Sequence, residues 1–321
     1  MAYRSRFVGF GSFLPKNIVS NEELSRRVDT SDEWIRERTG IRQRHIVSDG
    51  ENCTSMAVHA ARQAMEYAGL TVDDIDAVIV ATCTPDQIFP TTAVKVQKEL
   101  GMKKGFAFDV SSACAGFVFG LSVADNFIRN GQAKNVILIG SEVYSRILDW
   151  SDRRTCVLFG DGAGAVVLSA EQTNEDVGVL GVYLHTDGQY SDILYVDGVP
   201  SQTADQCFLK MQGQEVFRHA VTKLSEVVDE ALQAHQLGHK DIDWLVPHQA
   251  NLRIIKGMGK KLNLPAERVI VTVDRHANTS AASIPLALNE AVRDGRIKQG
   301  DLIVIEALGG GLSWGSSLVR L

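Results

Sequence analysis

Apolar and polar positions follow two rhythms along this chain. In AARQAMEYAGL (60–70) and FRHAVTKLSEVVDEALQAHQL (217–237) the apolar residues recur at the spacing of a helix that buries one face. AVIVA (77–81), VILIG (136–140), WLV (244–246) and LIVIEA (302–307) are short apolar runs, suited to strands covered on both faces. Helix and buried strand alternate in each half of the chain. That alternation predicts parallel sheets sandwiched by helices, with ligands at the carboxyl ends of the strands.

The pattern occurs twice. D-I-D stands at Asp74–Asp76 and again at Asp241–Asp243, an offset of 167; Asp109 pairs with Asp274 at 165; Gly131 with Gly295 and Glu142 with Glu306 at 164. A nearly constant offset implies an internal repeat, hence a layered α/β protein of two pseudo-symmetric halves, residues 1–171 and 172–321. The seam falls near Ala170–Asp176, and with no Pro/Gly/Ser linker there the halves should pack as one body. By this offset Cys114 maps near Asn278, and His248 follows the strand WLV at its carboxyl end. The three can converge on a cavity between the halves.

Composition narrows the class. The 321 residues are 45% hydrophobic and 22% charged with a net charge of −6, which argues against a chain-wide nucleic-acid or membrane-surface role. Met1–Gly11 lacks a signal-peptide core and no apolar run approaches spanning length, so the chain reads as cytoplasmic. Five cysteines without C-x-x-C fit neither a disulfide framework nor a zinc site. The eight histidines form no H-E-x-x-H or similar cluster, so no metal is implied.

Cys114 lies in FDVSSACAGF, where a strand-like run turns into a helix-like one. The positive end of a helix dipole there would favour thiolate and make the sulfur a nucleophile. FGDGAGA (159–165) sits between TCVLF and VVLS, two β-like runs, and reads as a tight strand-to-strand turn; a dinucleotide loop would open a helix. Asp109 and Asp274 read as acceptors for turn N–H groups.

PHQAN (247–251) and HANTSAAS (276–283), with SSACAGF, TSDEW (30–34), RTGI (38–41), FGDGAGA and GGGLSWG (309–315), closely resemble the β-ketoacyl-acyl-carrier-protein synthase III family. The resemblance covers essentially the whole chain. It implies a thiolase-like fold with mixed sheets in a layered α-β-α-β-α arrangement. It also implies a decarboxylative Claisen condensation of an acyl-CoA starter with malonyl-acyl-carrier protein, which begins type II fatty-acid synthesis.

In that reading Cys114 carries the acyl group, and His248 and Asn278 each aim an N–H at the thioester oxygen of the malonyl donor. The backbone N–H groups of Cys114 and Gly310 form a second oxyanion hole. Trp34, Arg38, Arg153, Gly213, Gln214, Phe217, Ala250 and Asn251 would line a CoA groove, with adenine between Trp34 and Arg153. Phe89, Tyr144, Leu158, Phe159 and Leu308 would shape the acyl pocket, Phe89 reaching in from the second subunit of a homodimer. Arg218, Arg253, Lys256, Lys260 and Lys261 would meet the acidic carrier protein. No cofactor, metal, nucleic acid or membrane is implied; acyl-CoA enters as substrate.

Three positions depart from the family's habit. Tyr144 stands where an aliphatic residue is common, Leu308 where phenylalanine is frequent, and Gln214 where a shorter amide is usual. The acyl-chain preference is thereby open, and a starter-unit synthase of specialised metabolism using a medium-chain or aryl thioester is the alternative. Cys…His…Asn is also the chain order of papain-like hydrolases, but the nucleophile here lacks the C-G-S-C-W context. Thiolase needs a second reactive cysteine near the C-terminus, and none follows Cys207.

Overall fold

A computed structural model describes residues 2–196 and 207–321. Two sheets carry the fold. The first contains β1 (Ala2–Phe13), β2 (Ala77–Ala81), β3 (Phe106–Val110), β4 (Asn135–Val143) and β5 (Asp161–Thr173), in the order β1-β5-β4-β2-β3. The second contains β6 (Gly178–Thr186), β7 (Trp244–Pro247), β8 (Leu302–Gly309) and β9 (Ser313–Arg320), in the order β7-β8-β9-β6. The pairs β2–β3 and β2–β4 in the first sheet and β7–β8 in the second are parallel, and the remaining strands join antiparallel. Both sheets are therefore mixed.

Helices fill three layers. α3 (Gly116–Arg129) and α6 (Ser283–Arg293) are mostly apolar and lie between the sheets, sharing one core with Ile79, Leu138, Ile303 and Ile305. α1 (Cys53–Ala68) and α2 (Thr92–Leu100) cover the outer face of the first sheet. α4 (Gly213–Ala234) and α5 (Leu252–Lys261) cover that of the second. A strand buried on both faces needs apolar side chains in both directions, which is why β2 reads as an unbroken apolar run and β8 as one interrupted only by Glu306.

Local signals place the helix ends. The Asn52 side chain accepts from Ser55 N at 2.9 Å while Ser55 Oγ accepts from Asn52 N at 2.9 Å, and Gly69 closes α1 at φ 67°. Asp109 accepts from the first-turn N–H groups of Thr92 and Ala93 at 2.8 and 2.7 Å, as expected of a turn acceptor. Asp274 does not repeat that role: it lies in a short helix, Val273–His276, and pairs with Arg275 at 2.8 Å.

The strand pairings correct the repeat offset. Asp76 Oδ2 accepts from Asn135 N at 3.0 Å, and Asp243 Oδ2 accepts from Leu302 N at 2.8 Å, so both strand pairs start in the same way at an offset of 167. α6 is shorter than α3, and the stretch from Gly295 to Leu302 is longer than that from Gly131 to Asn135. Glycines after the two helices thus match at 164, but the following strands match at 167. Glu142 therefore corresponds to Gly309 and not to Glu306, and Cys114 corresponds to Ala281 and not to Asn278.

FGDGAGA is not a turn. Asp161 onward belongs to β5, while Thr155–Leu158 form turns. The glycines serve close packing: a Cβ on Gly164 would lie 2.5 Å from the Leu286 nitrogen of α6.

Candidate active site

β3 leaves the first sheet through Ser111 and Ser112 into a single helical turn, Ala113–Ala115, that runs on into α3. Ala113 has φ 44°, in the left-handed region, and this sharp bend presents Cys114 to the interior. The end of β8 abuts the bend. A Cβ on Gly309 would lie 2.7 Å from the Cys114 nitrogen, so a glycine is required there.

Cys114 is buried, 5% exposed. Burial pushes its thiol up to about 12; the Ser280 hydroxyl opposes this, and Glu142 and Cys83 add to it. This corrects the expectation of a resting thiolate. The helix end is present, but desolvation of a charged sulfur outweighs it in so closed a site.

His248 follows β7 at the carboxyl end of the strand, and its backbone N–H donates to Glu306 O at 2.8 Å. Its Nδ1 lies 2.7 Å from Ser283 Oγ, which also accepts from Gln249 N–H at 3.2 Å. When the serine hydroxyl donates its proton to Nδ1, the imidazole Nε2 is the N–H donor. Burial pushes His248 down to about 3, so the ring is neutral. Gln249 fixes the loop: its amide nitrogen donates to Pro247 O and Ile270 O, and its oxygen accepts from Thr272 N and Val273 N.

Asn278 is held on both sides. Its backbone pairs with the chain around Phe159, through Asn278 N to Leu158 O at 2.9 Å and Gly160 N to Asn278 O at 3.0 Å. Its Oδ1 accepts from Ser280 N at 2.8 Å, which turns the amide NH2 toward the cavity.

Cys114, His248 and Asn278 line one cavity of about 930 Å³. The same cavity is lined by Trp34, Arg38, Arg153, Gly213, Gln214, Phe217, Ala250, Asn251 and Arg253, and by Tyr144, Leu158, Phe159, Leu308 and Gly310. Trp34 carries guanidinium groups from both neighbours, Arg38 at 4.8 Å and Arg153 at 5.2 Å from the ring centre. A base seated between Trp34 and Arg153 must therefore part them. The Asn251 side chain caps α5 by accepting from Arg253 N and Ile254 N at 3.0 Å.

Phe89 lies outside this cavity and is 82% exposed. Arg218, Arg253, Lys256, Lys260 and Lys261 are exposed; Arg253, Lys256 and Lys260 share one face of α5, with Arg253 also lining the cavity, and Arg218 pairs with Glu215. Among the described residues no cluster of His, Cys, Asp and Glu could hold a metal, and no helix is long and apolar enough to cross a membrane.

The sequence reading missed the residues that aim the donors, Ser280, Ser283 and Gln249, although all three lie inside the motifs it used. It also missed a second thiol in the wall, Cys83, and a ribbon formed by Leu194–Val196 and Leu209–Met211, whose Leu194, Leu209 and Met211 close one side. That ribbon has too few residues for its periodicity to be legible.

Residues 108–188 match the family described as 3-oxoacyl-[acyl-carrier-protein (ACP)] synthase III, and residues 232–321 match its C-terminal part. A β-ketoacyl-[acyl-carrier-protein] synthase III of Acidiphilium cryptum is 62% identical over 317 residues, 99% of each chain. The crystal structure of 3-oxoacyl-[acyl-carrier-protein] synthase III from Aquifex aeolicus superposes with TM-score 0.94 at 44% identity, covering 99% of this chain and 100% of that one. The priming β-ketosynthase from the R1128 polyketide biosynthetic pathway also superposes with TM-score 0.94, at 36% identity, covering 99% of this chain and 97% of that one. The two mixed sheets around paired central helices are those of a thiolase-fold condensing enzyme. Within that class the chain belongs to the β-ketoacyl-acyl-carrier-protein synthase III family.

Proposed function

We propose that this enzyme condenses an acyl-CoA starter with malonyl-acyl-carrier protein and so initiates type II fatty-acid synthesis. The carrying observation is that one cavity is lined by a bent-out thiol, a neutral imidazole and an oriented amide from separate segments. The sulfur of Cys114 attacks the starter thioester; acyl-Cys114 forms, and the thiol proton ends on the departing CoA sulfur. The malonyl thioester then loses CO2, and His248 Nε2–H and Asn278 NH2 donate to the developing enolate oxygen. A neutral histidine suits this role, because it supplies a hydrogen bond without taking the proton the enolate lacks. The enolate carbon bonds to the acyl carbon, the tetrahedral oxyanion being met by the N–H groups of Cys114 and Gly310. The C–S bond to Cys114 breaks, and the thiolate regains a proton.

The part of the cavity lined by Trp34, Arg38 and Arg153 would hold CoA, and the basic face of α5 with Arg218 would receive the acidic carrier protein. β3 is the half-exposed free edge of its sheet, with Phe106, Phe108 and Phe127 packed together, 4.9 Å between the Phe106 and Phe127 rings. Such an edge, with exposed Ile88 and Phe89 nearby in sequence, supports a homodimer. We take the enzyme to be cytoplasmic and to need no bound cofactor, with its halves meeting between Thr173 and Gly178, just beyond the 171/172 division.

Incubation of the purified chain with acetyl-CoA should add one acetyl mass, absent in Cys114→Ala. Failure of every acyl-CoA to transfer would remove the assignment. Transfer from octanoyl- but not acetyl-CoA would select a starter-unit synthase of specialised metabolism. Arg253→Ala should weaken carrier-protein use more than acyl-CoA use.

A further inference from the structure

We propose that Ser280 and Glu142 form a proton relay for Cys114: as the sulfur attacks the starter thioester, its proton passes to the Ser280 oxygen while the serine's own proton passes to the Glu142 carboxylate. This rests on the acyl-transfer reading above and extends it by naming the route of the thiol proton. When the carbon–sulfur bond to CoA breaks, the proton returns from Glu142 through Ser280 to the departing CoA sulfur, so none is gained or lost.

The need for a relay follows from the site. Cys114 is a neutral thiol at rest, and a sulfur attacks well only as it sheds its proton. His248 is no base for it: with Nε2 as the N–H donor that atom has no lone pair, and burial pushes the ring down to about 3. The NH2 of Asn278 is a donor only. Glu142 is a wholly buried carboxyl at the end of β4, and no step of the proposed reaction uses it. Its oxygens accept from Thr84 Oγ1 at 2.5 Å, Thr82 Oγ1 at 3.2 Å and Cys83 N at 3.1 Å. Those donors support a carboxylate despite its burial.

Ser280 reaches both groups. The turn Ser280–Ala282 is wedged against the Cys114 bend and against β4. A Cβ on Gly116 would lie 3.4 Å from the Ala281 Cβ, and one on Gly140 would lie 2.2 Å from the Ala281 carbonyl oxygen. Ser280 is 1% exposed, and its hydroxyl has no hydrogen-bond partner among the described residues. Yet that hydroxyl bears on the thiol of Cys114 and on the carboxyl of Glu142 alike. Buried hydroxyls are normally satisfied. One held unpartnered beside a proton donor and a proton acceptor can serve both, because a hydroxyl accepts and donates at once. The titratable groups around Glu142 are Cys53 of α1, Cys83 after β2, Cys114 of the bend and Tyr144 after β4. Burial pushes each of these up, so they stay neutral where Glu142, pushed up to about 7, changes charge.

The experiment follows single-turnover acetylation of the full chain by saturating acetyl-CoA, read by intact mass as a function of pH. The wild-type rate should rise through about pH 7, as Glu142 ionises, and then level off by about pH 8. Glu142→Gln and Ser280→Ala should each lack that inflection and be slower at about pH 8 by on the order of 10². Ser280→Ala keeps the backbone N–H that holds Asn278. Combining the two substitutions should cost no more than either alone, because a relay fails at any link. A single-turnover rate constant does not depend on the folded fraction, so a partly unfolded variant still reports. A charge effect alone runs the other way: the Glu142 carboxylate pushes the thiol up, so removing it would speed acylation. Faster acylation in Glu142→Gln would therefore overturn the relay. So would a wild-type profile without the inflection, or a Ser280→Ala profile that keeps it. If no acyl-CoA labels the wild type, the acyl-transfer reading itself falls, a different result from transfer that ignores Glu142.

Discussion

The two halves share a device and use it differently. In the first, a left-handed residue, Ala113, starts a single helical turn that leads into α3; in the second, Ser280 at φ 51° starts the turn Ser280–Ala282 that leads into α6. Each bend rests on the opposite sheet at a glycine. Gly309 of β8 admits the Cys114 nitrogen, and Gly140 of β4 admits the Ala281 carbonyl, where a Cβ would come within 2.2 Å. At the equivalent positions, 167 apart, the first half has Ala81 and Ser111 where the second has His248 and Asn278. The second has Ala281 where the first has Cys114. Duplication of the frame thus provides two symmetric places for chemistry, and on the proposed mechanism the halves divide the roles: one offers the nucleophile and the other the hydrogen-bond donors.

The sharpest way to break that division is to move the thiol. Cys114→Ala should abolish acylation, and Cys114→Ala with Ala281→Cys should not restore it, because Ala281 is buried and does not line the cavity. A mass gain in the double variant would show the halves to be interchangeable. Next, His248→Ala and Asn278→Ala should retain acyl transfer from acetyl-CoA while malonyl decarboxylation falls on the order of 10² to 10³. If either variant decarboxylated normally, its side chain would not be a donor.

Smaller effects test the frame itself. Gly309→Ala and Gly140→Ala should each lower stability by about 1–3 kcal/mol in urea denaturation, but only Gly309→Ala should also slow acyl transfer, since only it displaces the Cys114 backbone. Equal slowing in both would mean that the bends respond as one unit.

The smallest effect concerns pH. Burial pushes His248 and His276 down to about 3 from 6.5, so the stability they allow above pH 6.5 is lost as pH falls toward 3. Burial pushes Glu142 up to about 7 and Glu306 up to about 8 from 4.5, so what they contribute is full below pH 4.5 and lost as pH rises to 8. Together these four groups give a plateau between about pH 4.5 and 6.5 that declines on both sides. Glu142 accepts from Cys83 N and the Thr82 and Thr84 hydroxyls, whereas neither carboxyl oxygen of Glu306 has a partner. Glu306→Gln should therefore reduce the loss of stability between pH 6 and 8, followed by urea midpoint. An unchanged alkaline limb would remove Glu306 as its source.

Much of this was legible in the sequence where one physical demand dominates. Doubly covered strands read as unbroken apolar runs, and Cys114, His248 and Asn278 stood out because their motifs are specific. Legibility failed where two demands meet at one residue type. The glycines of FGDGAGA signal turns in most contexts, but Gly162 and Gly164 are needed in mid-strand for the approach of Leu286. Glu142 and Glu306 matched as letters although a shortened helix and a lengthened loop set them in different registers. The field at a helix end favoured a charged sulfur, and only the closed surroundings, which no sequence pattern records, reversed it.

The backbone pairing of Phe159 with Asn278 ties the two positions into one unit. A substitution that shifted the phenylalanine would drag the amide with it, so on the proposed mechanism a change at the cavity wall would also be felt at the enolate oxygen.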